Sequence, residues 1–289
     1  MILITGANGH FGTTAINFLL KKGVPANQLL GLVRSEAKGA EIKAKGIGLR
    51  IGDYNDYNSL VKAFEGIDKL LLVSASEIEN RSQQHENAIK AATAAGVKHI
   101  FYTSFERKNE SSDSPIAMVA ESHLHAEKLI KQSGMTYTIM RNNLYMDALP
   151  MFFGDQVLET GIFLPAGNTK GAYVLRSDMA EAAANLITGS GHENKTYFIS
   201  HPEPVSFDDI AEAISEITGK EVRYTSPDAK TFTDTLAKAG VPEGMIGFSL
   251  GFAEGIKQGE FLQEKSDLET ILGHKPVSVR EFLEGVYGN

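Results

Sequence analysis

The chain opens on an apolar run, Met1–Ile4, that passes through a glycine-spaced turn, Thr5–Gly12, into a stretch where Ala15, Ile16, Phe18, Leu19 and Leu20 recur with helical spacing. The same alternation continues to about Arg141. Short apolar runs at Leu29–Val33, Gly48–Ile51, Lys69–Val73, His99–Thr103 and Thr136–Arg141 read as buried strands. Longer amphipathic patterns at Thr13–Lys22, Ser35–Lys45, Asn58–Phe64, Ser82–Ala95 and Met118–Ser133 read as the helices between them. Strands alternating with helices predict βαβ units, and right-handed crossovers then give a doubly wound parallel sheet.

After Pro150 the segments shorten. Phe152–Glu159 reads as helical, Gly161–Pro165 as extended, and Tyr173–Leu175 as leading into a helix capped near Ser177 and Asp178. A strand at Tyr197–Ile199, a helix at Phe207–Thr218 between Ser206 and Gly219, and a strand at Val222–Tyr224 follow. Ala229–Ala239 and Phe282–Tyr287 read as helices of the tail. The expected class is α/β: a Rossmann-type doubly wound sheet over residues 1–149, and a smaller C-terminal α/β substrate lobe over 150–289, some of whose segments return to the sheet.

The chemistry starts at the first turn. Gly6 allows the chain to reverse, Gly9 lets backbone approach an anion, and Gly12 lets the following helix sit close to the strand. With Asn8, His10 and Phe11 they form a loop at the positive end of a helix, where free N–H groups hold a pyrophosphate. The second strand ends in Arg34. A carboxylate there would select NAD(H), whereas a guanidinium, with Lys38 one turn on, forms charge-assisted bonds to a 2′-phosphate. NADP(H) is therefore expected in preference to NAD(H); the alternative is a solvated Arg34 paired with Glu36. The remaining strand ends carry small polar residues, as a ligand rim should: Asp53, then Ser74 and Ser76, then Thr103 and Ser104, then Asn142 and Asn143.

Composition narrows the function. Lys and Arg number 28 against 36 Asp and Glu, so the formal net charge of −8 disfavours a nucleic-acid partner. The absence of cysteine excludes disulfides, thiolate nucleophiles and Cys-based metal centres. No apolar run approaches a membrane span and none resembles a leader, so a cytoplasmic, unprocessed chain is expected, as monomer or homodimer. His123 and His125 are too closely spaced to chelate one ion from a helix, and His85-Glu86 lacks a second histidine one turn on; no metal is expected.

Ile-Thr-Gly-Ala-Asn-Gly-His-Phe-Gly at 4–12, Leu-Val-Arg at 32–34, Gly-Asp-Tyr at 52–54, the run at 91–104 and Tyr-Thr-Ile-Met-Arg-Asn-Asn at 137–143 resemble the NmrA-like group of atypical short-chain dehydrogenases/reductases. The resemblance spans nearly the whole chain. It implies a phosphate loop on Gly6, Gly9, His10, Phe11 and Gly12, a 2′-phosphate anchor on Arg34, an adenine contact at Asp53, and a nicotinamide-side wall of Ser74, Ala75, Thr103 and Asn142. It also implies NADPH-dependent reduction of quinone-like or dye-like acceptors, with no flavin.

One departure matters. In the wider superfamily a Tyr-x-x-x-Lys pair follows the fifth strand; taking Glu127 as the glutamate that commonly follows it, Val119 stands in the tyrosine slot and His123 in the lysine slot. Without a tuned phenol, hydride delivery to an acceptor that yields a stabilised product is favoured over alcohol chemistry. His123, Asn142 and Tyr145 are the candidate catalytic residues, with His123 hydrogen-bonding the nicotinamide ribose or, alternatively, pairing with Glu127. Phe105, Tyr145, Met146, Met151 and Phe152 are the candidate acceptor pocket, or else plain core. Two other readings remain at this point: a non-enzymatic NADP(H) sensor acting on a protein partner, and a nucleotide-sugar epimerase drawing a phenol from Tyr102 or Tyr145.

Overall fold

The computed structural model describes residues 1–263 and 265–288. Its nucleotide-binding half runs β1 (Ile2–Ile4), α1 (His10–Lys21), β2 (Leu29–Val33), α2 (Ala40–Ala44), β3 (Gly48–Ile51), α3 (Tyr57–Phe64), β4 (Lys69–Leu72), α4 (Arg81–Ala94), β5 (His99–Phe105), α5 (Ala117–Gln132) and β6 (Thr136–Asn142). The remainder runs α6 (Leu149–Phe153), α7 (Val157–Thr160), β7 (Ile162–Phe163), α8 (Arg176–Thr188), β8 (Lys195–Ile199), α9 (Phe207–Thr218), β9 (Tyr224–Thr225), α10 (Ala229–Lys238), α11 (Glu243–Lys257), α12 (Leu268–Leu272) and α13 (Val279–Tyr287).

Seven strands form one parallel sheet in the order β3-β2-β1-β4-β5-β6-β8, and β7 pairs with β9 in a second, small sheet. The order reverses between β1 and β4, where Ile4 lies beside Gly31 on one side and Leu71 on the other. A crevice opens at such a reversal because neighbouring crossovers leave toward opposite faces. Strand alternation sorts the core into two layers. Leu3, Leu70, Leu72, Ile100 and Tyr102 pack with Leu60, Phe64, Ile89 and Ile130 of α3, α4 and α5. Ile4, Leu71, Phe101 and Met140 pack on the other face with Ile16 and Leu19 of α1 and with Met179 and Leu186 of α8.

Boundaries differ from the sequence expectation where tertiary contacts decide them. α1 starts at His10, three residues before the expected Thr13, because Gly12 can be helical against the strand. Ser35–Lys45 is a 3-10 turn, Glu36–Gly39, followed by the short α2, and Phe152–Glu159 breaks into α6 and α7 at Gly154, whose φ is +77°. α8 begins at Arg176 with Leu175 as its uncapped N-terminal boundary; Asp178 instead accepts the Val277 N–H at 2.8 Å. Both α8 and β8 lie on the nucleotide-binding half, since β8 is the seventh strand and α8 packs beside α1. Ser206 caps α9 through a reciprocal box with Asp209, and Gly219 ends it at φ +69°, as expected. The third core holds the C-terminal lobe around Phe153, Leu164, Tyr173, Phe207, Phe232 and Phe261.

Candidate functional site

The turn after β1 is built around backbone. Gly6 has φ +57°, its carbonyl accepts the Gly9 N–H at 2.9 Å, and the Gly9 carbonyl accepts the Thr13 N–H at 2.9 Å. A Cβ on Gly12 would lie 2.3 Å from the Gly6 oxygen, and one on Gly9 3.2 Å from the same atom. Helix and turn therefore touch backbone to backbone. Gly9 caps α1 without any side-chain bond, and no acidic residue sits in the first turn, so the N–H groups there are unclaimed by a carboxylate. That is the donor set and the charge sign an anion requires.

A cleft of about 460 Å³ opens over this turn, lined by Gly6, Asn8, Gly9, His10, Phe11 and Gly12, then Arg34, Asp53, Ser74, Ala75, Ser76 and Tyr145. Twelve of the sequence candidates thus meet in one hollow spanning the β1–β4 reversal. Arg34 is exposed at the rim and forms no salt bridge with Glu36. An extended dinucleotide fits this lining: a glycine-rich loop in the middle, a cation at one end, and an apolar-polar wall at the other.

The floor is held by residues that sequence reasoning passed over. Tyr54 lines the cleft, donates to the Val73 carbonyl at 2.7 Å and lies 2.5 Å from Thr5 Oγ1. The Val73 N–H donates to Thr5 Oγ1 at 2.8 Å, so β1, β4 and the β3 loop are pinned at one point. Burial pushes the Tyr54 phenol well above its ordinary range. Asn55, Glu77, Gln84 and Arg176 line the cleft too. Arg176 Nε donates to Asp147 at 2.7 Å, and its guanidinium lies 5.3 Å from the Tyr145 ring centre. Nothing local marked these residues, which come from the loops after β3 and β4, the first turn of α4 and the start of α8. Tyr145 itself is 37% exposed; surrounding protein atoms raise its pKa, and Arg176 opposes them.

The other candidates lie off the cleft lining. Thr103 stands behind the wall, accepting the Ser74 N–H at 2.8 Å. Lys38 lines a separate hollow of about 310 Å³ with Asn8, Thr13 and Lys45. Asn142, at the end of β6 opposite Phe105, is buried with both amide atoms unpartnered among the described residues. Phe105 packs against Phe252 and Phe261, Phe152 is half-buried against the second-lobe core, and Met151 is 80% exposed. Met146 is a correction. It is completely buried in the second-lobe core, because the Tyr145–Val174 bridge turns its backbone inward, and so it lines no acceptor pocket.

His123 is 4% exposed and does not pair with Glu127. Its Nδ1 lies 2.8 Å from the Tyr102 hydroxyl, whereas Glu127 accepts from Ser104 at 2.6 Å and Arg141 at 2.8 Å and faces Arg107 at 3.1 Å. Val119, in the tyrosine slot, is core. Tyr102 is fully buried with its hydroxyl engaged, so it cannot serve as a phenol for a sugar. His125 is surface, 3.2 Å from Glu86. Among the described residues no cluster could hold a metal, and no helix is long and apolar enough to cross a membrane.

Glu106, just past β5, is fully buried; one carboxylate oxygen accepts from Ser200 at 2.7 Å and the other has no partner among the described residues. Burial pushes it from 4.5 up to about 7, with the Ser200 bond and Arg141 opposing. The raised value means the folded state favours the protonated form. Stability from this group is thus whole below about 4.5 and is lost as pH climbs to about 7. Glu106→Gln should remove a dependence on the order of 3 kcal/mol, seen as a variant that gains on the wild type in urea unfolding at pH 8 relative to pH 5. A difference between the two proteins that is identical at both pH values would contradict this.

The fold and the glycine turn define a nucleotide-binding Rossmann protein of the α/β class. The NmrA-like family matches residues 1–282, and the chain belongs to that family. It is 35% identical to quinone oxidoreductase 2 of Escherichia coli (strain K12) over 99% of both chains. Among solved structures it resembles the NADPH-dependent quinone oxidoreductase of Escherichia coli complexed with NADPH, at 34% identity, full coverage of both chains and a TM-score of 0.91. It also resembles the Citrobacter sp. triphenylmethane reductase complexed with NADP(H), at 36% identity, 99% of both chains and a TM-score of 0.90. The chain is accordingly an oxidoreductase.

Proposed function

We propose that this protein is an NADPH-dependent reductase delivering hydride directly to a quinone-like or conjugated electrophilic acceptor, without a Tyr-x-x-x-Lys proton relay. The observation that carries the proposal is the cleft that joins a Cβ-intolerant glycine turn to an exposed Arg34 and a Ser74–Ser76 wall. The relatives' names, a quinone oxidoreductase and a triphenylmethane reductase with NADPH or NADP(H), support the same chemistry.

NADPH, when bound, supplies the hydride. The residues of the chain bind and orient: the α1 amino terminus takes the diphosphate, Arg34 the 2′-phosphate, and Asp53 and Tyr54 border the adenosine end. Asn142, with its two unpartnered amide atoms, is suited to a planar amide that needs both a donor and an acceptor. Tyr145 and Arg176 border the mouth on the side where an acceptor would enter. His123 is proposed as a hydrogen-bond donor at the nicotinamide end, connected to the wall residue Ala75 through His85 and Tyr102. Hydride transfer to such acceptors produces a delocalised anion or a neutral molecule, so positioning supplies most of the rate.

Arg34→Ala tests the anchor. NADPH affinity should fall by about 1–3 kcal/mol, with NADH affinity little changed, as read by calorimetric titration. Equal losses for both nucleotides would remove the 2′-phosphate assignment. A panel of quinones and triphenylmethane dyes tests the reaction itself, and no acceptor-dependent NADPH oxidation above the uncatalysed rate would end the proposal.

A further inference from the structure

Behind the Ser74–Ser76 wall, three side chains from three elements form one hydrogen-bonded line: His85 on α4, Tyr102 on β5 and His123 on α5. All three are essentially buried, at 0%, 0% and 4% exposure, and their rings are 5.5–5.9 Å apart. The line begins at the cleft. The backbone N–H of Ala75, a cleft-lining residue, points at His85 Nε2 at 3.0 Å. His85 Nδ1 lies 3.2 Å from the Tyr102 hydroxyl, and that hydroxyl lies 2.8 Å from His123 Nδ1.

The direction of every proton in this line follows from its first member. A backbone amide can only donate, so His85 Nε2 must be the bare, accepting nitrogen. A neutral imidazole with a bare Nε2 carries its hydrogen on Nδ1, and burial holds His85 neutral by pushing its pKa down to about 4. Tyr102 oxygen therefore accepts from His85, and its single proton is left to donate to His123 Nδ1. His123 Nδ1 is then bare, and its hydrogen stands on Nε2.

We propose that His85 and Tyr102 are positioning residues that hold His123 in the Nε2–H tautomer, and that Ala75 on the cleft wall sets the polarity of the whole line. His123 is thereby a fixed donor. Making Nε2 an acceptor would reverse both bonds of Tyr102 and set a His85 Nε2–H against the Ala75 N–H. This rests on the proposed donor role of His123 for its functional meaning, but the tautomer itself is a property of the protein alone. Hydride transfer needs no proton from the line; its contribution is orientation.

Long-range proton–nitrogen correlation spectra of the full-length, nucleotide-free protein, with the His85 and His123 signals assigned by single substitution, read the tautomers directly. The expected result is Nδ1–H for His85, the rarer form in water, and Nε2–H for His123. His85 as Nε2–H or His123 as Nδ1–H overturns the proposal. Kinetics supply the second arm, with NADPH and any quinone that the protein reduces. Tyr102→Phe should lower kcat about tenfold, the scale of one oriented hydrogen bond, with KM for NADPH changed less than twofold. His85→Gln, which can both accept from Ala75 and donate to Tyr102, should retain more activity than His85→Leu. Equal losses in the two His85 variants, or a loss in Tyr102→Phe confined to KM, also overturn it. Finding both tautomers as expected while no acceptor is reduced would leave the line intact and remove the reductase reading instead.

Discussion

Gly12→Ala is expected to weaken NADPH at least about 100-fold, equivalent to about 2.7 kcal/mol. The added methyl would stand 2.3 Å from the Gly6 oxygen, 2.8 Å from the Gly6 carbon and 2.9 Å from the Ala7 Cα. All three are backbone atoms. None can rotate aside as a side-chain end would, so either α1 lifts from the turn or the turn opens. Either movement displaces the amino-terminal N–H groups from the positions that converge on an anion. Because Ile16 and Leu19 of α1 are also buried in the core under this helix, lifting α1 should lower thermal stability as well. Titration of NADPH with the variant, monitored by calorimetry, settles the point; affinity within twofold of the wild type would show that the diphosphate does not sit on this turn.

Glu127→Gln has the second large effect, and it concerns stability rather than binding. The carboxylate is 4% exposed and faces Arg107, whose side chain is fully buried, at 3.1 Å and Arg141 at 2.8 Å. Burial raises the Glu127 pKa, but the Arg141 hydrogen bond, the Arg107 charge and the Ser104 hydroxyl outweigh it, so the group stays ionised below the usual range. A neutral amide of nearly the same shape would leave Arg107 as a buried cation whose remaining carboxylate partner among the described residues is the half-exposed Glu110, at 3.3 Å. Removing one partner of such an arrangement costs about 3–5 kcal/mol. A fall in the melting temperature on the order of 10 °C should follow. A shift below about 2 °C would mean that solvent, not Glu127, compensates these arginines.

Much of the site was legible along the chain because its determinants are local. The glycine spacing at 6, 9 and 12 specifies a turn whose geometry depends on a few consecutive dihedrals, and Arg34 follows β2 directly, so strand position alone placed it at the rim. Asp53 and Ser74–Ser76 were placed by the same rule, that ligands gather beyond the carboxyl ends of parallel strands. Tyr54, Gln84 and Arg176 were not legible, since each enters the cleft from an element whose orientation is set by packing elsewhere. Met146 failed for the converse reason: an apolar residue beside a site residue suits a pocket and a core equally well, and only the Tyr145–Val174 bridge assigned it to the core.

The helix holding His123 shows where the two levels part. By itself the sequence determined the α/β alternation, the glycine-spaced turn, an arginine at the end of β2 and a valine at position 119, since these depend on periodicity, on glycine's lack of a side chain and on residue identity. Only the tertiary structure decided that His123 turns away from Glu127 toward Tyr102 and His85, that Glu127 is committed to two arginines, and that α8 and β8 complete the nucleotide-binding half. The reason is physical. A side chain on a helix chooses among partners brought from distant strands by burial, and the energy that decides the choice lies in desolvation and hydrogen bonding between elements that are neighbours in space but not along the chain.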